Sequence, residues 1–558
     1  MDHDVSRRRA LLALSAMLAT SGCANKAILC ADDPGLGSKT SPLTIDVHAH
    51  VFNGSDLQIK EFLLQTATQK DSELFHLVRV LGTGLLQAIA WQAAPGAQDE
   101  RRALDAHAAA CRSGAGLVAT ARPAFQEGYS LGRDQLRQAT RSLAPTPGAA
   151  AVLGPNARGA GLGAAIEALP ERFDDFARQR SDRATVLGAQ PHLLGYIDFV
   201  LHHFNYRHVN ALDYLDTYSS RSERKVDLLI ACLVDYDWWL ARGAPTATRL
   251  GDQVEVMGRI SALTGGRVHG FAPFCPFRET MSLGSDGVGE SLRLVMRAIQ
   301  DHGFIGVKLY PPMGFAAWGN AARNVWKGKP TLDRAAWEPG FGARLDAAME
   351  KLYVWCIAND VSIMAHSNRS NGPYEEFREL AGAEYWNAAL EKFPGLRVSF
   401  GHTGDTDLED HDGRRSTAFI ELMSKPDGSP RAGVFADSGY FGGVLANPVG
   451  IADVLGRLYR DSRAGVLKQR LMYGSDWTMI LPLERVETYL SQFAAVLQRI
   501  EAGPADTTVA GASLSSAFFG ANAAEFLGLK PGRKTRQRLE HFYARNGVDD
   551  PDWMRKVG

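Results

Sequence analysis

The stretch Ile45-Asp46-Val47-His48-Ala49-His50 puts two histidines two residues apart at the end of an apolar run. Residues two apart in a strand share a face, so both imidazoles reach toward one point, and neutral imidazoles converging at a strand end suit a metal ion. A His-x-His pair alone is as compatible with a structural role, and the missing ligands must come from elsewhere in the chain. Four further segments end an apolar run on a chemically capable side chain: Lys308 in "GVKLYPP", His366 in "IMAHSN", His402 in "SFGHTGD" and Asp476 in "MYGSDW". Three imidazoles and a carboxylate form a site that favours Zn2+, with Mn2+ or Fe2+ as alternatives, and leave room for water. A divalent ion lowers the pKa of such a water and polarises a carbonyl, while a carboxylate beside it can take up a proton and pass it on. The bland alternative for Asp476 is a turn residue after Gly474-Ser475.

These residues need a scaffold that brings strand ends to one rim. Apolar, β-branched runs occur at Thr44–Val51, Val226–Val234, Val268–Phe274, Phe304–Tyr310, Val361–His366, Val398–His402, Val434–Ser438 and Leu471–Asp476. Between them lie stretches of helical length and spacing, among them Gly289–Asp301, Phe341–Asn359, Tyr374–Lys392 and Pro448–Tyr459. Eight strands alternating with helices predict an α/β fold, a (β/α)8 TIM barrel, in which catalytic groups occupy the carboxyl ends of the strands. Of the 15 histidines, four fall at three of these ends, which scattered core histidines would rarely do.

The chain divides on this reading into residues 43–52 as the first strand, 53–225 as a large, mostly helical insertion, 226–530 as the remaining barrel and 531–558 as a basic tail. Within the insertion, Leu57–Gln92 and Leu193–Ser219 have helical character, whereas "LAPTPGAAAVLGPNARGAGLGAAIEALP" favours a flexible loop. His202, His203 and His208 lack the spacing that sets two ligands on one helical face and read as structural. The tail carries Lys530, Arg533, Lys534, Arg536 and Arg538; it reads as a solvated helix, with anionic lipid as a lesser alternative.

The order of the strand-end motifs resembles the amidohydrolase superfamily, closest to its amidohydrolase-related branch of metal-dependent hydrolases and decarboxylases whose last strand reads Gly-Ser-Asp-Trp or similar. "GANAAEFLGL" is similar to the closing helix of many members, and the resemblance does not extend over Phe52–Lys225. It implies His48, His50, His366 and Asp476 as metal ligands, with Asp476 also the proton acceptor. It leaves His402 either on a second ion or on substrate and attacking water. Lys308 is either a carboxylated bridge between two ions, a direct electrostatic contact to substrate, or structural. Asp405 or Asp437 could fix a ligating histidine from behind, or cap a helix. Arg278, Glu279 and Arg369 stand where substrate would lie, and Trp238, Tyr310, Phe315, Trp318, Tyr440, Phe441 and Trp477 either wall a pocket or plug the barrel.

With 61 Lys and Arg against 62 Asp and Glu, no net field points to nucleic acid as a partner, and a small molecule is the expected one. Ser6-Arg7-Arg8-Arg9 before the apolar stretch Ala10–Ala19 resembles a twin-arginine export signal over residues 1–22. Thr20-Ser21-Gly22-Cys23 resembles a lipoprotein cleavage site, so periplasmic or lipid-anchored placement is expected, with Cys23 the only expected link to a membrane. The six cysteines, at 23, 30, 111, 232, 275 and 356, show no Cys-x-x-Cys spacing and no clustering with histidine, which predicts buried free thiols rather than a thiolate zinc site or a redox pair. The functions that follow are hydrolysis of a C–N or C–O bond (amide, lactone or ester), non-oxidative decarboxylation on the same site, or, from another class, a non-catalytic envelope binding module.

Overall fold

A computed structural model describes residues 30, 36, 40–67, 94–144, 162–181, 191–405, 414–461, 463–503, 509 and 511–558. The expected export segment 1–22, Cys23, most of the Leu57–Gln92 stretch and residues 145–161 of the Ala/Gly/Pro-rich stretch lie outside these residues.

Eight strands follow one another in parallel order: β1 Ile45–Ala49, β2 Leu228–Cys232, β3 Val268–Pro273, β4 Gly306–Leu309, β5 Ser362–His366, β6 Val398–Gly401, β7 Val434–Asp437 and β8 Leu471–Met472. Every strand residue is buried, as expected where helices cover the outside of the sheet and side chains fill its inside. Register fixes the height of the polar side chains: Lys308 pairs with Pro273 and Met364, and His366 pairs with Gly401. The ring closes through Val47 N to Tyr473 O at 3.1 Å, Asp476 N to His48 O at 2.7 Å, and a bond from His50 N to Trp477 O. β8 is shorter than its apolar run predicts, and Asp476 lies beyond it, held by this backbone bond to β1.

The helices that position the site are, in chain order, α1 Ala97–Arg112, α2 Leu117–Leu143, α3 Leu162–Glu167, α4 Phe173–Ser181, α5 Pro191–His202 and α6 Arg207–Arg221 in the insertion, then α7 Leu250–Leu263, α8 Glu290–Asp301, α9 Phe341–Asn359, α10 Ala383–Lys392, α11 Arg414–Glu421, α12 Pro448–Asp461 and α13 Tyr489–Glu501 around the barrel. α3 falls in the stretch expected to be a flexible loop; Leu162 and Ile166, four apart on one face, are buried and hold it as a helix. The insertion shares one apolar core with the barrel. It is fastened by Arg207, buried, which pairs with Asp56 at 3.1 Å and Glu100 at 3.0 Å, and by Tyr214, whose hydroxyl donates to Asp46 on β1 at 2.6 Å.

Two expectations are corrected. Cys232, Cys275 and Cys356 are buried free thiols, but Cys30 and Cys111 form a disulfide that ties the segment ahead of β1 to α1. Nor is the basic tail solvated: it forms α14 Lys534–Asn546 and α15 Asp552–Val557, whose Leu539, Phe542, Tyr543, Trp553 and Met554 are buried with Ile45, Leu228 and Phe271 at the amino-terminal end of the barrel. Two of its positive charges face carbonyls at the end of α9, Lys534 donating to Ala358 O at 2.7 Å and Arg538 to Asn359 O at 2.6 Å, where the helix dipole favours cations; Lys530, Arg533 and Arg536 pair with Glu525, Asp360 and Glu540. Among the described residues no helix is long and apolar enough to cross a membrane.

Because Phe542 is a core residue rather than a solvated one, Phe542→Ala is expected to cost about 3–5 kcal/mol, measured as a lowered denaturant midpoint; an unchanged midpoint would mean the tail is not part of the fold.

Candidate metal centre

His48 and His50 leave β1 on one face, as their spacing predicts, and the segment after β8 brings Asp476 against both. Asp476 Oδ1 lies 3.3 Å from His48 Nε2 and 3.3 Å from His50 Nε2. The far nitrogen of each ring is occupied: His48 Nδ1 stands 3.0 Å from Asp437 Oδ1, and His50 Nδ1 2.9 Å from Cys232 O. A carbonyl can only accept, and a carboxylate accepts best, so both rings carry their proton on Nδ1 and turn Nε2 lone pairs toward Asp476. Electron-rich atoms facing one another away from water favour a proton or a cation among them, and both histidine–Asp476 separations suit a metal ion. Atoms bound about 2.0–2.1 Å from a tetrahedral zinc stand about 3.3–3.4 Å apart.

The other predicted residues surround this point. His402 Nδ1 lies 2.9 Å from Gly439 O, and His402 Nε2 lies 3.2 Å from His366 Nδ1; His366 Nε2 in turn faces Ser370 Oγ at 3.3 Å. Ligand atoms of His48, His402 and Asp476 lie within 4.8 Å of one another, a grouping that takes in His402 and leaves out the expected ligands His50 and His366; His366 meets it through His402. Lys308 Nζ sits 3.4 Å from His48 Nε2 and 2.9 Å from Met364 Sδ. All six side chains are buried.

Burial sets the protonation states. It lowers His48 and His366 well below the usual imidazole range, aided by Lys308 and the neighbouring rings. Burial and Lys308 bring His50 down to about 3, and burial, partly opposed by Asp437, brings His402 down to about 4. All four rings are therefore neutral near pH 7, the ligating form. Burial raises Asp476 well above the carboxylate range against the opposing pull of Lys308; a bound cation inverts that balance.

Asp437 holds the set together. Its Oδ1 accepts from His48 Nδ1, from His402 N at 3.2 Å and from Gly439 N at 3.0 Å, so one carboxylate orients one ring and fixes the backbone of another. Of the two carboxylates weighed for that task, Asp437 is the one that touches a histidine ring; the Asp405 amide bonds to His402 O. Close packing leaves no space beside His48: a Cβ on Gly439 would fall 2.6 Å from its Nδ1, and one on Gly474 2.9 Å from its Cβ. Asp476 and His402 both have left-handed backbone, with φ of 60° and 62°, a conformation that non-glycine residues adopt at a cost of about 1–3 kcal/mol each.

Other expectations at the rim resolve less favourably. Arg278 is not poised for a substrate carboxylate, because it is engaged by Asp235 at 2.6 Å and Asp237 at 2.6 Å. Arg369 pairs with Glu379, and Glu279 is buried accepting the amides of Gly289 and Leu292 at the start of α8. Of the aromatic residues, Tyr310 stacks on His366 with ring centroids 4.1 Å apart. Trp238, Phe315, Trp318 and Phe441 pack on neighbouring aromatic rings, and Trp477 meets Tyr214, Tyr218 and His202 from the insertion. His202 is an ion-paired core residue: burial disfavours its charge, but Asp198 and Asp213 outweigh that and hold it up to about 10. The residue that sequence reasoning missed is Asp46, whose Oδ1 accepts from His48 N at 3.0 Å and Ser475 N at 3.1 Å, joining the two ligand-bearing segments. It stood within the opening motif, two residues before His48. Tyr214, which donates to it, carried no sequence signal.

The family model described as Amidohydrolase matches residues 202–529, more than half of the chain. The chain belongs to the amidohydrolase family. β1, with His48 and His50, precedes the matched stretch, so the family match and the geometry of those two residues are separate observations. Solved structures similar to this amidohydrolase include an amidohydrolase from Burkholderia multivorans with bound zinc, at 13% identity over 57% of this chain and 87% of that one, with a TM-score of 0.33. Others are a 5-carboxyvanillate decarboxylase from Novosphingobium aromaticivorans with bound manganese (12%, 64% and 92%, 0.31) and a 4-oxalomesaconate hydratase from Rhodopseudomonas palustris (15%, 52% and 72%, 0.29). Among curated proteins there is no match to this amidohydrolase.

Removing the Asp437 carboxylate without changing its size tests its place behind His48: Asp437→Asn is expected to weaken metal binding about 10–100-fold, read by competition with a chelator, and unchanged affinity would remove it from the site.

Proposed function

We propose that this amidohydrolase is a metal-dependent hydrolase that cleaves a C–N or C–O bond in an amide, lactone or ester of a small molecule. The observation that carries the reading is the convergence of two Nδ1-protonated imidazoles on Asp476, with His366, His402 and Lys308 around the same point. His48, His50, His366 and Asp476 would hold the ion, zinc first, with manganese or iron as alternatives. A divalent ion bound there acidifies water and polarises a substrate carbonyl.

This chain's own groups do the rest. Asp476 Oδ takes the proton of the attacking water and passes it to the departing nitrogen or oxygen, acting as general base and then general acid. Lys308 Nζ, an ammonium in a buried surrounding, faces the charge that develops on the carbonyl oxygen. His402, neutral and with its Nδ1–H donated to Gly439 O, offers Nε2 as an acceptor to water or substrate. With Arg278 and Arg369 engaged elsewhere, a substrate carboxylate would meet Lys308 and the ion rather than an arginine fork. Export, and a lipid on Cys23, belong to the same proposal and rest on Arg8-Arg9 and the residues leading to Cys23.

Buried Lys308 also favours a second reading, decarboxylation, because an ammonium beside a polarised carbonyl stabilises the enolate left when carbon dioxide departs. A panel of lactones, esters, N-acyl amides and aromatic carboxylic acids, offered to the zinc- or manganese-loaded protein, separates the two: hydrolysis releases acid and alcohol or amine, decarboxylation releases carbon dioxide. On whichever substrate turns over, Asp476→Asn is expected to lower kcat about 10²–10⁴-fold with an unchanged circular dichroism spectrum. An Asp476→Asn protein as fast as the parent would contradict both readings.

A further inference from the structure

Metal-binding side chains converge a second time among the described residues, in the insertion, on groups that take no part in the barrel centre. His107 and Cys111 stand four apart on α1 and therefore on one face of it. Cys30 reaches them from the segment ahead of β1, and ligand atoms of Cys30, His107 and Cys111 lie within 4.8 Å of one another. His208, at the start of α6, sets its ring edge-on to His107 with centroids 5.4 Å apart. Cys111 and both histidines are buried, and His208 Nδ1 has no hydrogen-bond partner among the described residues. An open cavity walled by Asp99, Glu127 and Tyr206 borders both imidazoles and gives an ion a way in.

We propose that Cys30, His107 and Cys111, with His208 as the fourth donor, form a redox-gated site for a thiophilic divalent ion such as zinc. In the oxidised protein the two sulfurs are bonded to each other and cannot ligate. A dithiol reductant donates two electrons and two protons: the Cys30–Cys111 bond breaks, two thiols form, and the reductant closes into its own disulfide. An ion entering then displaces both thiol protons and binds two thiolates and the imidazoles, a Cys2His2 or Cys2His set typical of zinc. Burial and His107 lower His208 to about 3, so it is neutral and free to ligate near pH 7. The tether between the segment ahead of β1 and α1 is thereby kept in either condition, by the disulfide where oxidants prevail and by the ion where thiols stay reduced.

Cobalt distinguishes this site from the barrel centre, whose proposed ligands are nitrogen and oxygen alone. Full-length protein with its barrel centre filled with zinc is reduced with dithiothreitol, freed of the reagent under argon and titrated with Co2+. The expected result is about one additional equivalent of bound cobalt with a thiolate-to-cobalt charge-transfer band in the near ultraviolet, absent from the oxidised protein. The band is expected to fall to about half or less in Cys111→Ser and in Cys30→Ser, each of which leaves one thiolate, and to vanish when both are replaced; Cys30→Ser alters a residue outside the insertion helices should the other variants fail to fold. His107→Ala is expected to keep the thiols but weaken cobalt binding at least tenfold. No band in the reduced parent protein, or a band that survives in the doubly substituted Cys30→Ser, Cys111→Ser protein, would overturn the proposal, the second because the sulfur would then belong to another cysteine.

Discussion

Two imidazole lone pairs and a carboxylate oxygen meet between β1 and the segment after β8, and much of the barrel's carboxyl end is arranged to keep them there. The rings cannot relieve the contact by turning, because His48 is held by Asp437 and His50 by the Cys232 carbonyl. Nor can the backbone retreat, because Gly439 and Gly474 lie against His48 where any side chain would collide. The left-handed backbone at Asp476 and His402 is a further cost carried by the surrounding sheet. A cation turns these mutually repelling groups into ligands, which is the physical reason for placing one there.

The same constraint explains why the insertion is fused to the barrel rather than appended to it. The seam between β1 and β8 is where the sheet is shortest and where both ligand-bearing segments lie. Tyr214 from α6 donates to Asp46, and Asp46 accepts from amides on both sides of the seam. Trp477, directly after Asp476, packs edge-on against Tyr214, Tyr218 and His202. The insertion thus braces the one part of the ring that β8 leaves thin.

How much of this could be read beforehand followed from the range of the interactions involved. Strand ends and their order were legible because each rests on a local apolar run followed by a polar residue, and a TIM barrel dictates that such ends share a rim. The choice of Asp437 over Asp405 was not, since both follow a strand closely and only the three-dimensional packing brings one to His48. The arginines at the rim misled for the same reason: Asp235 and Asp237, which occupy Arg278, lie on a different βα loop. The expectation that no cysteine clusters with histidine is corrected here: His107 and Cys111 share a helical face at a spacing of four, and Cys30, far from them along the chain, joins them only in the fold. The tail's five cations suggest a solvated helix, but Leu539, Phe542 and Trp553 among and beyond them supply an apolar face that the barrel end buries.

The most direct test of the account is a crystal structure of zinc-loaded protein with anomalous diffraction data collected above and below the zinc edge. A peak about 2.0–2.2 Å from His48 Nε2, His50 Nε2 and an Asp476 oxygen is the predicted result. A map with no peak at that point, and water or a side chain bridging the three atoms instead, would contradict it.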